Sequence, residues 1–308
     1  MKPDIPPLDK IDIRLLRVFK TVTECGGFSA AEEVLNIGRS TISIHISDLE
    51  TRFGLRLCAR GPAGFSLTKH GEVVYEATLK LFNAINSFRS TVGNSKGKLM
   101  GELSIWVMDN TSTDQFDPIV EAINLFRERP TEVEFQIHVA SPADIEKAVH
   151  DGRCDIGITG SKIDYLDLEY DYLHSEENTL YCGKRHPLFE RAAGQISDDI
   201  LQTADFARRG VPVEKNSILE PNWLSSAAAT HMEGRLHLIR TGLYVGYLPT
   251  HYAAGWEQRG ELRKINPDRF LVRWPIYAVW RKNDEQSALI SAFLNDVKAA
   301  SAVLQLNP

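Results

Sequence analysis

The chain lacks any apolar run approaching the roughly 18–20 residues of a membrane-spanning helix, so an α-helical membrane protein is excluded. Its opening, MKPDIPPLDKID, lacks the apolar core of a secretory signal, and the expectation is a soluble, cytoplasmic protein. Cysteine is scarce: Cys25, Cys58, Cys154 and Cys182 are the four, none in CxxC or CxxH spacing, which argues against a structural zinc site. They read as reduced, partly buried thiols, with Cys154 and Cys182 left open as a redox-responsive pair. The sequence has no HExxH, no GxSxG and no glycine-rich phosphate cradle, and its nine histidines are scattered. An α/β enzyme with an accessory segment therefore has no motif behind it; neither catalysis nor a cofactor is expected. Positive charge is also short, at 35 Lys+Arg against 41 Asp+Glu, but unevenly so. Up to Lys98 there are 14 basic and 10 acidic residues, and from Leu99 onward 21 and 31. Only the N-terminal part is disposed to approach a polyanion.

Three short amphipathic segments separated by tight breaks open the chain. Leu15, Leu16, Phe19 and Val22 recur at helical spacing in a first helix over about 11–25, stopped by Gly26-Gly27. Ser29 with Glu32 three residues later reads as a capping box opening a second helix, and small Ala30 and Ala31 suit a close helix crossing. Asn36-Ile37-Gly38 forms the turn, with Gly38 as the permissive position. In a third helix over about 39–53, Ile42, Ile46 and Leu49 pin one side to the domain. Arg39, Ser40, Thr41, Ser43 and His45 are left outward. A short strand–turn–strand around Gly61-Pro62 closes the unit and positions Arg60 for a sugar-phosphate chain, and Thr68 caps the next helix. This is the layout of a winged helix-turn-helix, which lays one helix in the major groove of double-stranded DNA.

From Lys69 to about Val92, Val74, Leu81 and Phe88 are spaced by seven, with Ala77 and Ala84-Ile85 between them. That seam suits pairing with a second copy of the same helix. A polar, small-residue hinge over 94–101 comes next.

The N-terminal residues closely resemble the LysR-type transcriptional regulators. The resemblance is carried at unbroken spacing by Leu15, Phe19, Val22, Gly27-Phe28-Ser29, Ala30-Ala31, Leu35, Ser40, Ile42-Ser43, Ile46, Leu49-Glu50, Gly54, Leu57, Arg60, Leu67-Thr68 and Gly71. Gly38-Arg39 replaces the family's usual Ser-Gln, Ile44 occupies a commonly polar position, and Cys58 replaces a usual phenylalanine. The base preference is therefore not carried over. The resemblance implies a homo-oligomer, with dimers through the long helix and a homotetramer as the full assembly.

Beyond Glu102 the pattern becomes α/β: strand-like Leu103–Met108, a helix over 114–127, a strand at 133–139, a helix at 144–150 and a strand at 154–159. Further strands are expected at 178–183, 204–207 and 242–249, then a helix over 229–241 and a closing strand–helix pair at 276–280 and 285–304. Asp155-Ile-Gly-Ile, Arg185-His186-Pro187-Leu188 and Gly242-Leu-Tyr-Val-Gly246-Tyr-Leu-Pro249 resemble the family's effector domain. That likeness implies a two-lobed α/β architecture similar to periplasmic solute-binding proteins. Lobe one would comprise 102–173 and 274–308, lobe two 174–273, and a small-molecule effector would bind between them. The fold class is thus α+β multidomain: reader at 1–68, linker helix at 69–93, hinge at 94–101, effector domain at 102–308.

Ligands of open α/β sheets sit beyond the carboxyl ends of strands, near helix N-termini. This selects Asp109, Asn110, Thr111, Ser112, Ser141, Thr159, Gly160 and Ser161 in lobe one, faced by Arg208, Arg209 and Val211. Thr111, Ser112 and Ser141 also read as helix caps, and the two arginines as a solvated loop. The arginines point to a small organic anion, Asp109 to a ligand with a donor or some positive charge.

Overall fold

A computed structural model describes residues 7–61, 64–94, 99–163, 165–192, 195–210, 223–282, 284 and 287–306. Val211, the wing tip at Pro62 and the side chain of Arg60 lie outside this description. The chain forms two compact units, Met1–Phe88 and Arg89–Pro308.

In the first unit α1 (Lys10–Glu24), α2 (Ala31–Leu35) and α3 (Arg39–Phe53) precede an antiparallel pair, β1 (Cys58–Gly61) and β2 (Gly64–Leu67), and the long α4 (Lys69–Asn94). The apolar stripe of α1 buries Leu15, Leu16, Phe19 and Val22 against Ile42, Ile46 and Leu49 of α3, as their spacing predicts. The helix begins at a capping box that sequence reasoning did not identify: the Asp9 carboxylate accepts the N–H groups of Ile11 and Asp12, and Asp12 returns the bond to Asp9. Asp12 is completely buried, and its charge is matched by Arg52 of α3, whose guanidinium binds both Asp12 and Asp9.

Two local expectations are corrected. Ser29 does not form a capping box with Glu32, because α2 starts at Ala31 with no side-chain cap. Glu32 instead accepts the N–H of Arg39 at 2.6 Å, so it caps the start of α3 across the turn. The reversal is made by Asn36, which takes the left-handed conformation (φ 51°), while Gly38 stays at φ −68°. An asparagine tolerates that region because its side chain substitutes locally for backbone contacts.

The second unit is one mixed sheet in the order β4-β3-β5-β11-β6-β9-β7-β8. On one side β3 (Leu99–Met108), β4 (Thr131–Ala140) and β5 (Ile156–Thr159) run parallel; on the other, β7 (Asp205–Arg209), β8 (Ala227–Ala229) and β9 (Tyr244–Pro249) do so. They are joined by the antiparallel pair β6 (Leu168–Gly183) and β11 (Val272–Arg281), while the short β10 (Leu262–Lys264) pairs with the far end of β6. The two strands cross from one apolar core to the other. Leu103, Ile105, Phe126, Ile156, Val279 and Phe293 belong to the first core, and Leu180, Phe206, Val245 and Tyr247 to the second. At the crossing the register shifts between Ile276 and Tyr277, a bulge that bends the ladder where the cores part.

Several boundaries differ from expectation, among them the strand expected at 178–183, which runs as β6 from Leu168. The strand expected at 103 begins at Leu99, taking in the last residues of the supposed hinge. The helix expected from Asp114 starts only at Ile119 (α5, Ile119–Arg127), since Asp114 and Asp117 fold the preceding loop by accepting the N–H groups of Phe116 and Ile119. Ala229 ends a strand rather than opening a helix, and α8 runs Met232–Arg240. Helices α6 (Pro142–His150), α7 (Asp198–Thr203), α9 (Thr250–Gln258), the short α10 (Pro267–Phe270) and α11 (Ala288–Leu306) complete the unit. No described helix is long and apolar enough to cross a membrane.

Candidate functional site

The outward face of α3 is set by its inward one. With Ile42, Ile46, Leu49 and Phe53 buried, Arg39 and Ser40 are exposed and Thr41, Ser43 and His45 half-buried. The Nε2 of His45 is buried and lacks a partner, so that nitrogen is not presented to solvent. Ser29 is exposed before α2. Behind α3, Glu50 accepts the N–H groups of Leu57 at 2.8 Å and Cys58 at 3.0 Å, which fixes where the wing's first strand leaves the helical body. Thr68 caps α4 through the N–H of Gly71 at 3.0 Å, as expected. A Cβ at Gly71 would lie 2.0 Å from the carbonyl oxygen of Leu57, so only glycine allows α4 to start against the wing.

The seam expected on α4 divides. Val74 and Leu81 pack against the reader's own core, and Ile85 is half-buried. Ala77 and Ala84 are exposed, and Phe88 leaves 69% of its surface uncovered. A single chain thus satisfies part of the stripe and leaves the rest bare.

In the second unit the expected effector residues separate into three groups. Asp109, at the end of β3, receives the N–H of Met232 at the start of α8, with Nδ1 of His231 3.7 Å away. A small opening between the lobes is lined by Asp109, Pro142, Arg209, Ala229, Thr230, His231, Met232 and Arg235. The structure therefore brings Asp109 and Arg209 together, and adds the α8 N-terminus. Arg235 is buried and holds the carbonyl of Tyr247 at 3.2 Å.

The second group turns inward. Ser141 caps α6 through the N–H of Asp144 and donates to its carboxylate at 2.6 Å. Ser161 donates to buried Glu146 at 2.7 Å, and its N–H binds the Thr159 hydroxyl at 3.2 Å. The Gly160 carbonyl accepts the indole N–H of Trp274. Burial drives the Glu146 carboxyl above its ordinary pKa despite these bonds. Arg208, by contrast, is exposed on β7 and binds the hydroxyl of Ser225 at 2.9 Å.

The third group sits beside the crossing strands. Asn110, in the left-handed region (φ 61°), and the turn Thr111–Thr113 lead into Asp114. Asn110 donates to Glu176 at 3.2 Å, and Thr113 contacts His251 at 2.8 Å. His174 pairs with Asp114 at 2.9 Å, and the histidine favours the ionised Asp114, whose pKa is lowered despite burial. Sequence reasoning missed His174, Glu176, Asn178 and His251. The signal was polar residues at i, i+2 and i+4 along one side of a buried strand, where the period-2 rule expects apolar ones.

The cysteine alternative loses its basis. Cys154 and Cys182 are completely buried in the two separate cores. Burial raises the Cys154 thiol well above its ordinary pKa and pushes Cys182 up to about 12, which suppresses the thiolate that oxidation requires.

Residues 13–72 match the family model for the bacterial regulatory helix-turn-helix of the lysR family, and residues 96–302 match the LysR substrate binding domain. The chain is 40% identical over 296 residues to the HTH-type transcriptional activator BauR of Pseudomonas aeruginosa, covering 96% of this chain and 97% of that protein. The fold is similar to full-length CbnR complexed with its target DNA (TM-score 0.60, 16% identity, 94% of this chain and 99% of that one). It is also similar to full-length LysG of Corynebacterium glutamicum with bound effector Arg (TM-score 0.52, 18% identity, 94% and 98% covered). A helix-turn-helix reader joined to a two-lobed effector-binding domain, matched over nearly its whole length, makes this chain a LysR-type DNA-binding transcriptional regulator.

Proposed function

We propose that α3 reads the major groove with Arg39, Ser40, Thr41 and Ser43, supported by Ser29, His45 and the wing at Arg60. The effector proposed is a small organic anion bound between the lobes beside Asp109 and Arg209. The observation that carries the second statement is the Asp109 carboxylate seated on the N-terminus of α8. Free N–H groups at a helix start attract negative charge, and here the protein's own carboxylate holds that place with Arg209 lining the same opening. An entering anion would replace Asp109, and the lobes would settle into the arrangement that favours the bound ligand. It can shift the equilibrium only by its differential affinity for the two arrangements. Pairing of two chains through the bare part of the α4 stripe (Ala77, Ala84 and Phe88) would convert that shift into a new spacing of two readers along DNA. The regulator would act in the cytoplasm, as a homotetramer and without catalysing a reaction.

All five tryptophans lie beyond residue 100 (Trp106, Trp223, Trp256, Trp274 and Trp280), so intrinsic fluorescence reports the second unit alone. Thermal unfolding followed this way, against a panel of carboxylates and amines, tests the reading. A true effector at about 100 times its Kd adds about 2.7 kcal/mol. A carboxylate should produce the shift, Asp109→Asn should strengthen it by removing the competing charge, and a variant carrying Cys154→Ala and Cys182→Ala should retain it. Stabilisation by amines alone would refute an anionic effector.

A further inference from the structure

Away from the opening at Asp109, three side chains from distant segments converge where β6 and β11 cross. Asp114 comes from the loop after β3, Glu176 from the crossing stretch of β6, and His251 from the first turn of α9. His251 Nε2 lies 3.1 Å from Glu176 Oε1 and 3.9 Å from Asp114 Oδ2, and the three atoms are all within 4.8 Å of one another. We propose that Asp114, Glu176 and His251 form a binding site for a divalent transition-metal ion of the zinc class.

His251 is oriented through its other ring nitrogen. The Thr113 hydroxyl, 3.0 Å from the carbonyl of Asn110, lies 2.8 Å from Nδ1 of His251. This contact holds the ring with Nε2 facing both carboxylates. A histidine ligand whose other N–H is held by a fixed acceptor is the usual arrangement at protein-bound metals.

Charge and geometry agree. The side chains of Asp114 and Glu176 are only 7% and 4% exposed, and among the described residues neither pairs with a lysine or arginine; their ionic partners are His174 and His251. Buried carboxylates without a permanent cation are costly. The carboxylates are also held in place: Asn110 and Asn178 donate one to each oxygen of Glu176, at 3.2 and 2.9 Å, and the N–H of Phe116 to Asp114 at 2.9 Å. Ligand atoms about 2.0–2.2 Å from tetrahedral zinc stand about 3.4 Å apart, so the observed separations need only small rotations to close on an ion. Two carboxylate oxygens and one imidazole leave a position for water. Because the ligands come from both lobes and the strand between them, a bound ion would favour one lobe arrangement over others.

The test uses full-length protein stripped with chelator and titrated with Zn2+ alone, followed by calorimetry and by metal analysis after gel filtration. One equivalent per chain is expected, with a rise in the tryptophan-detected melting temperature. Glu176→Gln and His251→Ala should each weaken binding at least tenfold. Thr113→Val, which touches no ion, should weaken it by about 10–100-fold through loss of ring orientation. His150→Ala, at the exposed His150–Asp167 pair, should leave it unchanged. Absence of stoichiometric Zn2+ binding to the wild-type protein would overturn the proposal. Binding retained in Glu176→Gln and His251→Ala would overturn it equally.

Discussion

Glu50→Ala isolates one structural claim about the reader. The carboxylate holds two backbone N–H groups, those of Leu57 and Cys58, and both residues are buried. Truncation leaves two buried donors facing a small void, and each lost charge-assisted bond costs about 1–3 kcal/mol. The combined loss is about 2–6 kcal/mol, a large fraction of what a small unit possesses. It should fall on the first unit only, which contains no tryptophan. Urea unfolding of full-length protein should therefore show the far-UV circular dichroism signal of the first unit lost at lower denaturant. The tryptophan transition should stay in place, and affinity for DNA should fall because the wing loses its anchor. A dichroism midpoint unchanged from wild type would refute the role assigned to Glu50. A matching shift of the tryptophan transition would refute its confinement to the reader.

Particular contacts elsewhere have consequences of the same kind. Gly71→Ala places a methyl 2.0 Å from the Leu57 carbonyl and should destabilise the same unit by about 3 kcal/mol, read as a lower dichroism midpoint; a neutral result would mean α4 starts elsewhere. Phe88→Glu should reduce the molar mass measured by light scattering if the bare part of α4 pairs chains, and an unchanged mass would remove Phe88 from the interface. Burial raises the Asp155 carboxyl to about 6 despite the Ser104 N–H it accepts at 2.8 Å. A folded pKa above the unfolded value of about 3.9 means that the folded state holds the proton more tightly. The stabilisation is thus complete below pH 4 and lost as pH rises toward 6, by about 3 kcal/mol at most. Asp155→Asn should flatten that slope, and a carboxyl pKa below 4 by NMR would contradict it.

Much of the first unit was legible because its physics is local. The i, i+4, i+7 spacing of Ile42, Ile46 and Leu49 fixed the buried face of α3, and with it the exposed one. Glu32 was misread because the same residue satisfies a local capping pattern and a tertiary one, and the contact seven residues away prevails. Asp9 and Asp12 carried a readable helix-start signal; the burial of Asp12 was not readable, because its partner Arg52 lies 40 residues on. In the second unit the alternation of strands and helices was visible. The cluster at the crossing was not, since Glu176 meets Asn110 and His251 across 66 and 75 residues. The effector residues divided for the same reason: the sequence marks strand ends and cannot tell a serine that caps its own helix, such as Ser141, from one that awaits a ligand.

The most direct test of the account is equilibrium binding of full-length protein to a duplex selected from genomic fragments, measured by fluorescence anisotropy for wild type and Arg39→Ala. If α3 reads the groove and Arg39 makes a two-pronged base contact, the variant should bind about 5–150-fold more weakly, equivalent to about 1–3 kcal/mol, with both unfolding transitions unmoved. Equal affinity for that duplex, or failure of the wild-type protein to retain any fragment, would contradict it.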